Sequence, residues 1–167
     1  TVQSDAEVLS VRRDGAYYHL SFAAPGIADG FRPGHFVAIA VDDAHILRRA
    51  FSIRSASTKA GGALQIIVSP KGPGTQWLVA RRPGDIINVI APLGQPFRLP
   101  TEAVPCVLVG GGYGVAPLFE LASQLRARGC PVEIIVGAGD AQRLHGVVEA
   151  RRVSDAVHVT TDDGSAG

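Results

Sequence analysis

The chain predicts two folds in succession, a small antiparallel β-barrel and then a parallel-sheet α/β unit, and three observations carry that prediction. Up to about Leu99 short apolar runs alternate with turn residues at close intervals; after Pro100 the rhythm changes to strand, glycine turn, helix and strand. The third is capacity: 167 residues, 46% of them hydrophobic and 19% charged, can bury one large core or two small ones. The expected domains are residues 1–100 and 101–167.

In the first part, strand-like runs fall at residues 16–22, 35–41, 64–68 and 86–90. Pro33-Gly34, Gly61-Gly62, Pro83-Gly84-Asp85 and Pro92-Leu93-Gly94 separate them at a spacing suited to a closed barrel. One helix interrupts, over residues 75–80, with Gly74-Thr75 as its start and Trp77 and Leu78 facing inward. In the second part the apolar strand 106–109 runs into Gly110-Gly111-Gly112-Tyr113-Gly114 and a helix over 116–128. Leu118, Leu121, Ala122 and Leu125 recur there at helical spacing, Pro117 suits a first helical turn, and Gly129 suits a left-handed cap. A strand at 132–136, a helix at 141–151 and a strand at 156–160 complete half of a doubly wound domain. Residues 161–167 read as a strand-to-helix loop, so the second domain is expected to be partial, truncated at its C-terminus.

Several function classes are disfavoured. A net charge of +1, with no Lys/Arg stripe interleaved with aromatics, offers no field for nucleic acid. No apolar run reaches the roughly 20 residues of a membrane span, and the first residues lack the regions of a secretory signal, so no membrane partner and a cytoplasmic location are expected. Cys106 and Cys130 match no CxxC, zinc or iron–sulfur spacing and read as small hydrophobes at strand starts. His19, His35, His45, His145 and His158 show no ligand spacing, and no metal site is expected.

What remains is suited to dinucleotides. In Arg49-Ala50-Phe51-Ser52 a guanidinium can pair with a pyrophosphate, an aromatic ring can lie along a flat flavin, and a hydroxyl can reach the flavin edge. Strand alternation puts Arg49 and Phe51 on one side and Ser52 on the other. The bland alternative is an exposed arginine beside a barrel-core phenylalanine. Gly72-Pro73-Gly74-Thr75 ahead of a helix gives amides and a hydroxyl at a positive dipole end, or simply a loop and an N-cap. Ile67, Val68 and Ser69 just before it offer backbone groups. Gly110 to Pro117 follows a buried strand but fits no GxGxxG register; three glycines in a row permit close approach of a dinucleotide without closing on a phosphate.

With Arg32-Pro33-Gly34-His35-Phe36, Pro83-Gly84-Asp85 and Pro92-Leu93-Gly94-Gln95-Pro96-Phe97 added, these ordered motifs resemble the ferredoxin-NADP reductase-like flavoproteins over nearly the whole chain. Arg48-Arg49, the Gly74-Thr75-Gln76-Trp77-Leu78 helix start and the ending Thr161-Asp162-Asp163-Gly164-Ser165 narrow the resemblance to the electron transfer subunits that serve a dihydroorotate dehydrogenase in pyrimidine synthesis. The resemblance implies a ferredoxin reductase-like fold, an FAD-binding barrel and a partial NAD-binding domain. It implies an NAD(P)H-linked, FAD-dependent electron transfer subunit, in a hetero-oligomer with an FMN-containing catalytic dihydroorotate dehydrogenase subunit. FAD contacts carry over to Arg49, Ala50, Phe51, Ser52, Ile67, Val68, Ser69, Gly72, Gly74 and Thr75, and nicotinamide-nucleotide contacts to Gly111, Gly112, Gly114 and Pro117, with Gly137 and Asp163 as weaker candidates. No catalytic acid or base is implied, because hydride transfer depends on stacking and alignment. The subfamily's 2Fe-2S cluster is held by four cysteines near the C-terminus that this chain does not contain, so a cluster is expected only if further sequence supplies them. Two alternatives stand beside this reading: a ferredoxin or sulfhydrogenase reductase subunit, and a non-catalytic nucleotide- or protein-binding module. Asp140 and Arg143 leave the choice between NADH and NADPH open.

Overall fold

The computed structural model describes residues 1–42 and 47–167; His45, among the histidines weighed above, lies outside the described residues. The chain divides into two compact units, Thr1–Pro96 and Phe97–Gly167.

Six antiparallel strands close the first unit into a barrel: β1 (Val2–Asp14), β2 (Tyr17–Ala23), β3 (Phe36–Ile39), β4 (Arg49–Ser57), β5 (Ala63–Val68) and β6 (Ile86–Leu93), in spatial order β1-β2-β5-β4-β3-β6. Alternation fills the barrel. Leu20, Phe22, Val37, Ile39, Ile53, Leu64, Ile66, Ile87 and Val89 point inward and are almost fully buried. Register shifts between Val8 and Ser10, Phe36 and Ala38, and Ile53 and Ser55 supply the bends that closure needs. A short helix, α1 (Pro73–Val79), sends the fully buried Leu78 into this core, while Trp77 is only partly buried and carries the Arg81 guanidinium 4.2 Å from its ring centroid.

Two elements differ from the sequence expectation here. The thirteen-residue β1 is absent from it, because its inward positions hold only small or sparse apolar groups such as Ala6 and Val8 among polar neighbours. Pro92 and Leu93, read as a turn, end strand β6; the chain reverses after them, at Gly94, whose φ is +81°.

The second unit is a parallel sheet in the order β7 (Cys106–Gly111), β8 (Val132–Ala138), β9 (Ala156–Thr161). Helices α2 (Leu118–Ala127) and α3 (Val147–Val153) bury Leu118, Phe119, Leu121, Ala122, Leu125 and Ala150 against Val132, Ile134 and Val136. The helix expected at 141–151 is instead a single 3-10 turn, Ala141–Arg143, followed after a break by α3, because Gly146 takes a left-handed φ of +73°. The end of α2 follows the expected cap: Gly129 (φ +80°) donates its N–H to the Arg126 carbonyl at 2.9 Å and Cys130 to the Leu125 carbonyl at 3.1 Å. Those two bonds satisfy the last carbonyls of the helix and turn the chain into β8. Among the described residues no helix is long and apolar enough to cross a membrane.

Candidate functional site

In the barrel unit the chain brings two of the three cassettes together. A Cβ built on Gly74 would stand 3.2 Å from Arg49 Nε, 3.5 Å from its Nη2 and 3.2 Å from Val41 Cγ2. The guanidinium thus lies directly against the first turn of α1, and only a residue without a side chain fits beneath it. Arg49 also donates from Nη1 to the Leu47 carbonyl at 2.7 Å, which steadies the side chain along this path. Its neighbour does something different: Arg48 donates to the Asn88 carbonyl at 3.1 Å and to Asn88 Oδ1 at 2.5 Å, and so belongs to the barrel wall. Nothing in the sequence separates the two arginines; the pairing of β3 with β4, Ile39 opposite Arg49, decides it.

The helix begins earlier than the sequence suggests. Gly72 is the N-cap and Thr75 the third helical residue, whose hydroxyl accepts from the Gly72 N–H at 3.1 Å and donates to its carbonyl at 3.0 Å. The Thr75 hydroxyl therefore holds the turn in shape, with Gly74 buried above it.

Along β4 the alternation is as expected: Arg49 and Phe51 are half-buried, Ala50 and Ser52 exposed. Phe51 packs against the barrel core cluster, which supports the bland reading of that ring; at this end of β4 the residues exposed to solvent are Ala50 and Ser52. The β4–β5 ladder runs from Ser57 opposite Ala63 to Ile53 opposite Ile66 and, among the described residues, does not extend to Ser52 and Ile67. Ile67 and Val68 bury their side chains, so they offer backbone only, and Ser69 is half-buried beyond the strand end. Arg49, Gly72, Gly74 and Thr75 are brought into one cluster. Ile67, Val68 and Ser69 stay on the neighbouring strand end.

The third cassette lies in the second unit and is built differently. Gly110 is a packing glycine: a Cβ there would meet Val115 Cα at 2.7 Å and Leu118 Cδ1 at 3.0 Å. Gly112 has a φ of +52° and opens a 3-10 turn over Gly112–Val115. Gly111 and Gly114 face open space, with nothing within 4 Å of a built Cβ, and both are exposed. Pro117 is buried as the residue before α2, so it sets the direction of the helix and does not face solvent.

At the carboxyl end of β8, Asp140 caps the next turn by accepting from the Arg143 N–H at 3.0 Å and pairs with Arg143 Nε at 3.3 Å. Beyond β9, Asp163 accepts from the Ser165 N–H at 2.9 Å and Oγ at 2.6 Å, and these bonds hold its carboxyl below the ordinary range. Gly137 lies at the end of β8 opposite Thr160. In the barrel, His35 accepts from the Arg32 N–H at 3.1 Å, and burial together with the Arg32 charge lowers its pKa, favouring the neutral ring.

No family model matches the chain. Among curated proteins it is 34% identical, over 98% of its own length and 63% of the relative's, to a dihydroorotate dehydrogenase B (NAD(+)) electron transfer subunit from Desulforamulus reducens. A protein of the same name from Geobacillus thermodenitrificans is 37% identical over 90% of this chain and 59% of the relative. The chain thus spans about six-tenths of the length of these relatives. Among solved structures, the NADH-dependent reduced ferredoxin-NADP oxidoreductase superposes with a TM-score of 0.83 at 29% identity, covering 97% of this chain and 58% of the other. Phthalate dioxygenase reductase superposes at 0.75 with 21% identity, covering 97% and 52%.

Proposed function

We propose that this chain, whose fold is ferredoxin reductase-like and whose sequence is 34% and 37% identical to two dihydroorotate dehydrogenase B electron transfer subunits, carries the FAD-binding barrel (1–100) and the first part of the NAD-binding domain (101–167) of such a subunit. The observation that carries the reading is the Arg49 guanidinium laid over Gly74 at the start of α1. A guanidinium fixed against the backbone at the start of α1, with no side chain between them, fits a pyrophosphate group.

Bound there, FAD would supply an acceptor for a hydride from NADH and a donor of single electrons to a further carrier. The chain's own residues bind and orient. Arg49 neutralises the pyrophosphate, Gly72 leaves open space beside the helix start, Gly74 makes room for the guanidinium itself, and Thr75 keeps the helix start rigid. The backbone of Ile67 to Ser69 and the exposed edge of Ala50 and Ser52 line the strand ends beside that cluster, while Phe51 backs β4 from the core. Gly111 and Gly114 leave the approach for a nicotinamide nucleotide open, Gly112 sets the turn, and Pro117 aims α2. No residue is asked to take or give a proton.

The electron acceptor we propose is the FMN-containing catalytic subunit of a dihydroorotate dehydrogenase, held in a hetero-oligomer. A 2Fe-2S relay would need four thiolates, and the two cysteines of this chain do not supply them, so its ligands would have to come from elsewhere in the protein. The similarity to a ferredoxin-NADP oxidoreductase supports a second reading, a reductase subunit that exchanges electrons with ferredoxin. Co-expression separates the two. The full-length protein should purify yellow, co-purify with a dihydroorotate dehydrogenase and reduce it with NADH. Ignoring that partner while reducing ferredoxin at comparable rates would favour the second reading, and a colourless, correctly folded protein would remove both.

A further inference from the structure

A cavity of about 390 Å³ opens in the barrel unit, within the roughly 300–1,000 Å³ of small-molecule sites. Val41, Asp42, Trp77, Ile86 and Asn88 line it. Val41 joins this cavity to the Arg49 cluster: its Cγ2 and Arg49 Nε both stand 3.2 Å from the point that a Gly74 Cβ would occupy. Trp77 follows Gly74 by three residues and so lies about 4.5 Å further along α1, on a neighbouring part of its surface.

The lining divides by chemistry. Asn88 is committed to the wall: its Oδ1 accepts from Arg48 Nη2 at 2.5 Å and from Gln3 Nε2 at 3.2 Å, and its Nδ2 donates to Asp5 at 2.6 Å. Trp77 supplies a half-buried aromatic ring that is fixed before any ligand arrives. Arg81 fixes it, with its guanidinium 4.2 Å from the ring centroid and its Nε donating to the Trp77 carbonyl at 3.1 Å. Ile86, 59% exposed, adds apolar surface, and Asp42 adds a half-buried carboxylate.

We propose that this cavity receives the adenosine end of the flavin dinucleotide, with Trp77 stacking on the adenine and Asp42 accepting from the ribose hydroxyls, and that these two residues make the barrel select FAD over FMN. The proposal rests on the reading that places the pyrophosphate at Arg49. Charge sorts the two halves of the ligand. The guanidinium takes the phosphates, whereas the Asp42 carboxylate repels them and suits hydroxyl donors. The cavity therefore suits a nucleoside and not a second phosphate, and Val41 connects the two subsites without a charge between them.

The test is titration of the flavin-free protein with FAD and with FMN, followed by flavin fluorescence. Trp77→Leu keeps apolar bulk against the barrel core and removes the ring; FAD affinity should fall about tenfold while FMN affinity stays unchanged. Asp42→Ala should lower FAD affinity about fivefold and again spare FMN. A third measurement needs no variant to fold, because Trp77 is the chain's one tryptophan. Adenosine diphosphate should change its fluorescence, and inorganic pyrophosphate, which reaches only the Arg49 subsite, should not. FAD affinity unchanged in both variants, FAD and FMN affinities falling together, or Trp77 fluorescence unmoved by adenosine diphosphate would overturn the proposal and leave the pyrophosphate site standing. An unmutated protein that binds neither flavin would overturn that earlier reading and the proposal with it.

Discussion

The two glycine-bearing turns make opposite kinds of site. Around Gly74 the chain concentrates charge: Arg49 is steadied by the Leu47 carbonyl and laid on the helix start, and the Thr75 hydroxyl locks the loop. At Gly111 and Gly114 a Cβ would meet nothing within 4 Å among the described residues, and what shapes this turn is the packing of Gly110 on Val115 and the left-handed Gly112. A site held by a fixed cation suits a ligand that stays, since a charge-assisted bond is about twice as strong as a neutral one. One held by shape alone suits a ligand that comes and goes. This contrast matches a resident flavin and a visiting nicotinamide nucleotide, and each half of it can be attacked separately.

The largest effect is expected from Gly110→Ala. The new methyl would stand 2.7 Å from a backbone atom, Val115 Cα, which cannot swing aside as a side chain would. We expect a loss of about 2–3 kcal/mol from the second unit. The barrel has its own core and the chain's one tryptophan, Trp77, so denaturant curves read by tryptophan fluorescence should barely move while the far-UV transition falls. Coincident shifts would mean that the two units unfold as one and that the contrast is not one of independent parts.

Next is Arg49→Ala, which removes the cation and leaves the fold. Flavin affinity should drop about ten- to a hundredfold, corresponding to roughly 1.5–3 kcal/mol for a bond to a charged group. Salt should weaken the unmutated protein's flavin binding and leave that of the variant nearly unchanged. Equal affinity, measured by flavin fluorescence, would remove Arg49 from the site. Arg48→Ala is the matched control, because its guanidinium is committed to Asn88.

These particulars mark how far the sequence could be read. The barrel and the βαβ unit follow from turn spacing and the Leu118–Leu125 periodicity, and Gly129 from its place after the helix, because each is a local signal. The strand β1 escaped because closing a barrel lets a weakly apolar strand persist through its hydrogen bonds to β2 and β6. The division of labour between Arg48 and Arg49 and the part played by Val41 depend on which strands pair, and no local pattern encodes that. Phe51 packs one side of its ring on the barrel core because strand alternation puts it on the same side as Ile53.

The shape-held turn is tested at Gly114. Gly112→Val would strain a φ of +52° and mix folding with binding, whereas Gly114→Val places its side chain in open space. In the full-length, flavin-loaded protein, Gly114→Val should slow flavin reduction by NADH about tenfold, with flavin affinity unchanged, if loss of a near-attack alignment is the cause. Stopped-flow absorbance measures it. Unchanged reduction would leave the turn as packing between strand and helix.

The smallest expected effect concerns which nicotinamide nucleotide visits. Asp140 places a carboxylate at the end of β8, where a ribose would meet the sheet edge, and it both caps the following turn and pairs with Arg143. A 2′-phosphate would be repelled by Asp140 and attracted by Arg143, while a 2′-hydroxyl could donate to Asp140. Asp140→Asn separates these roles. The amide oxygen still accepts from the Arg143 N–H, so the turn and the stability should hold; the exposed ion pair itself is worth at most about 1 kcal/mol. Removing the negative charge while keeping Arg143 should raise the NADPH-to-NADH ratio of kcat/KM by about three- to tenfold, in line with that energy. A ratio that does not move, in a variant that melts as the unmutated protein does, would place the ribose away from Asp140 and leave the residue as the cap of its own turn.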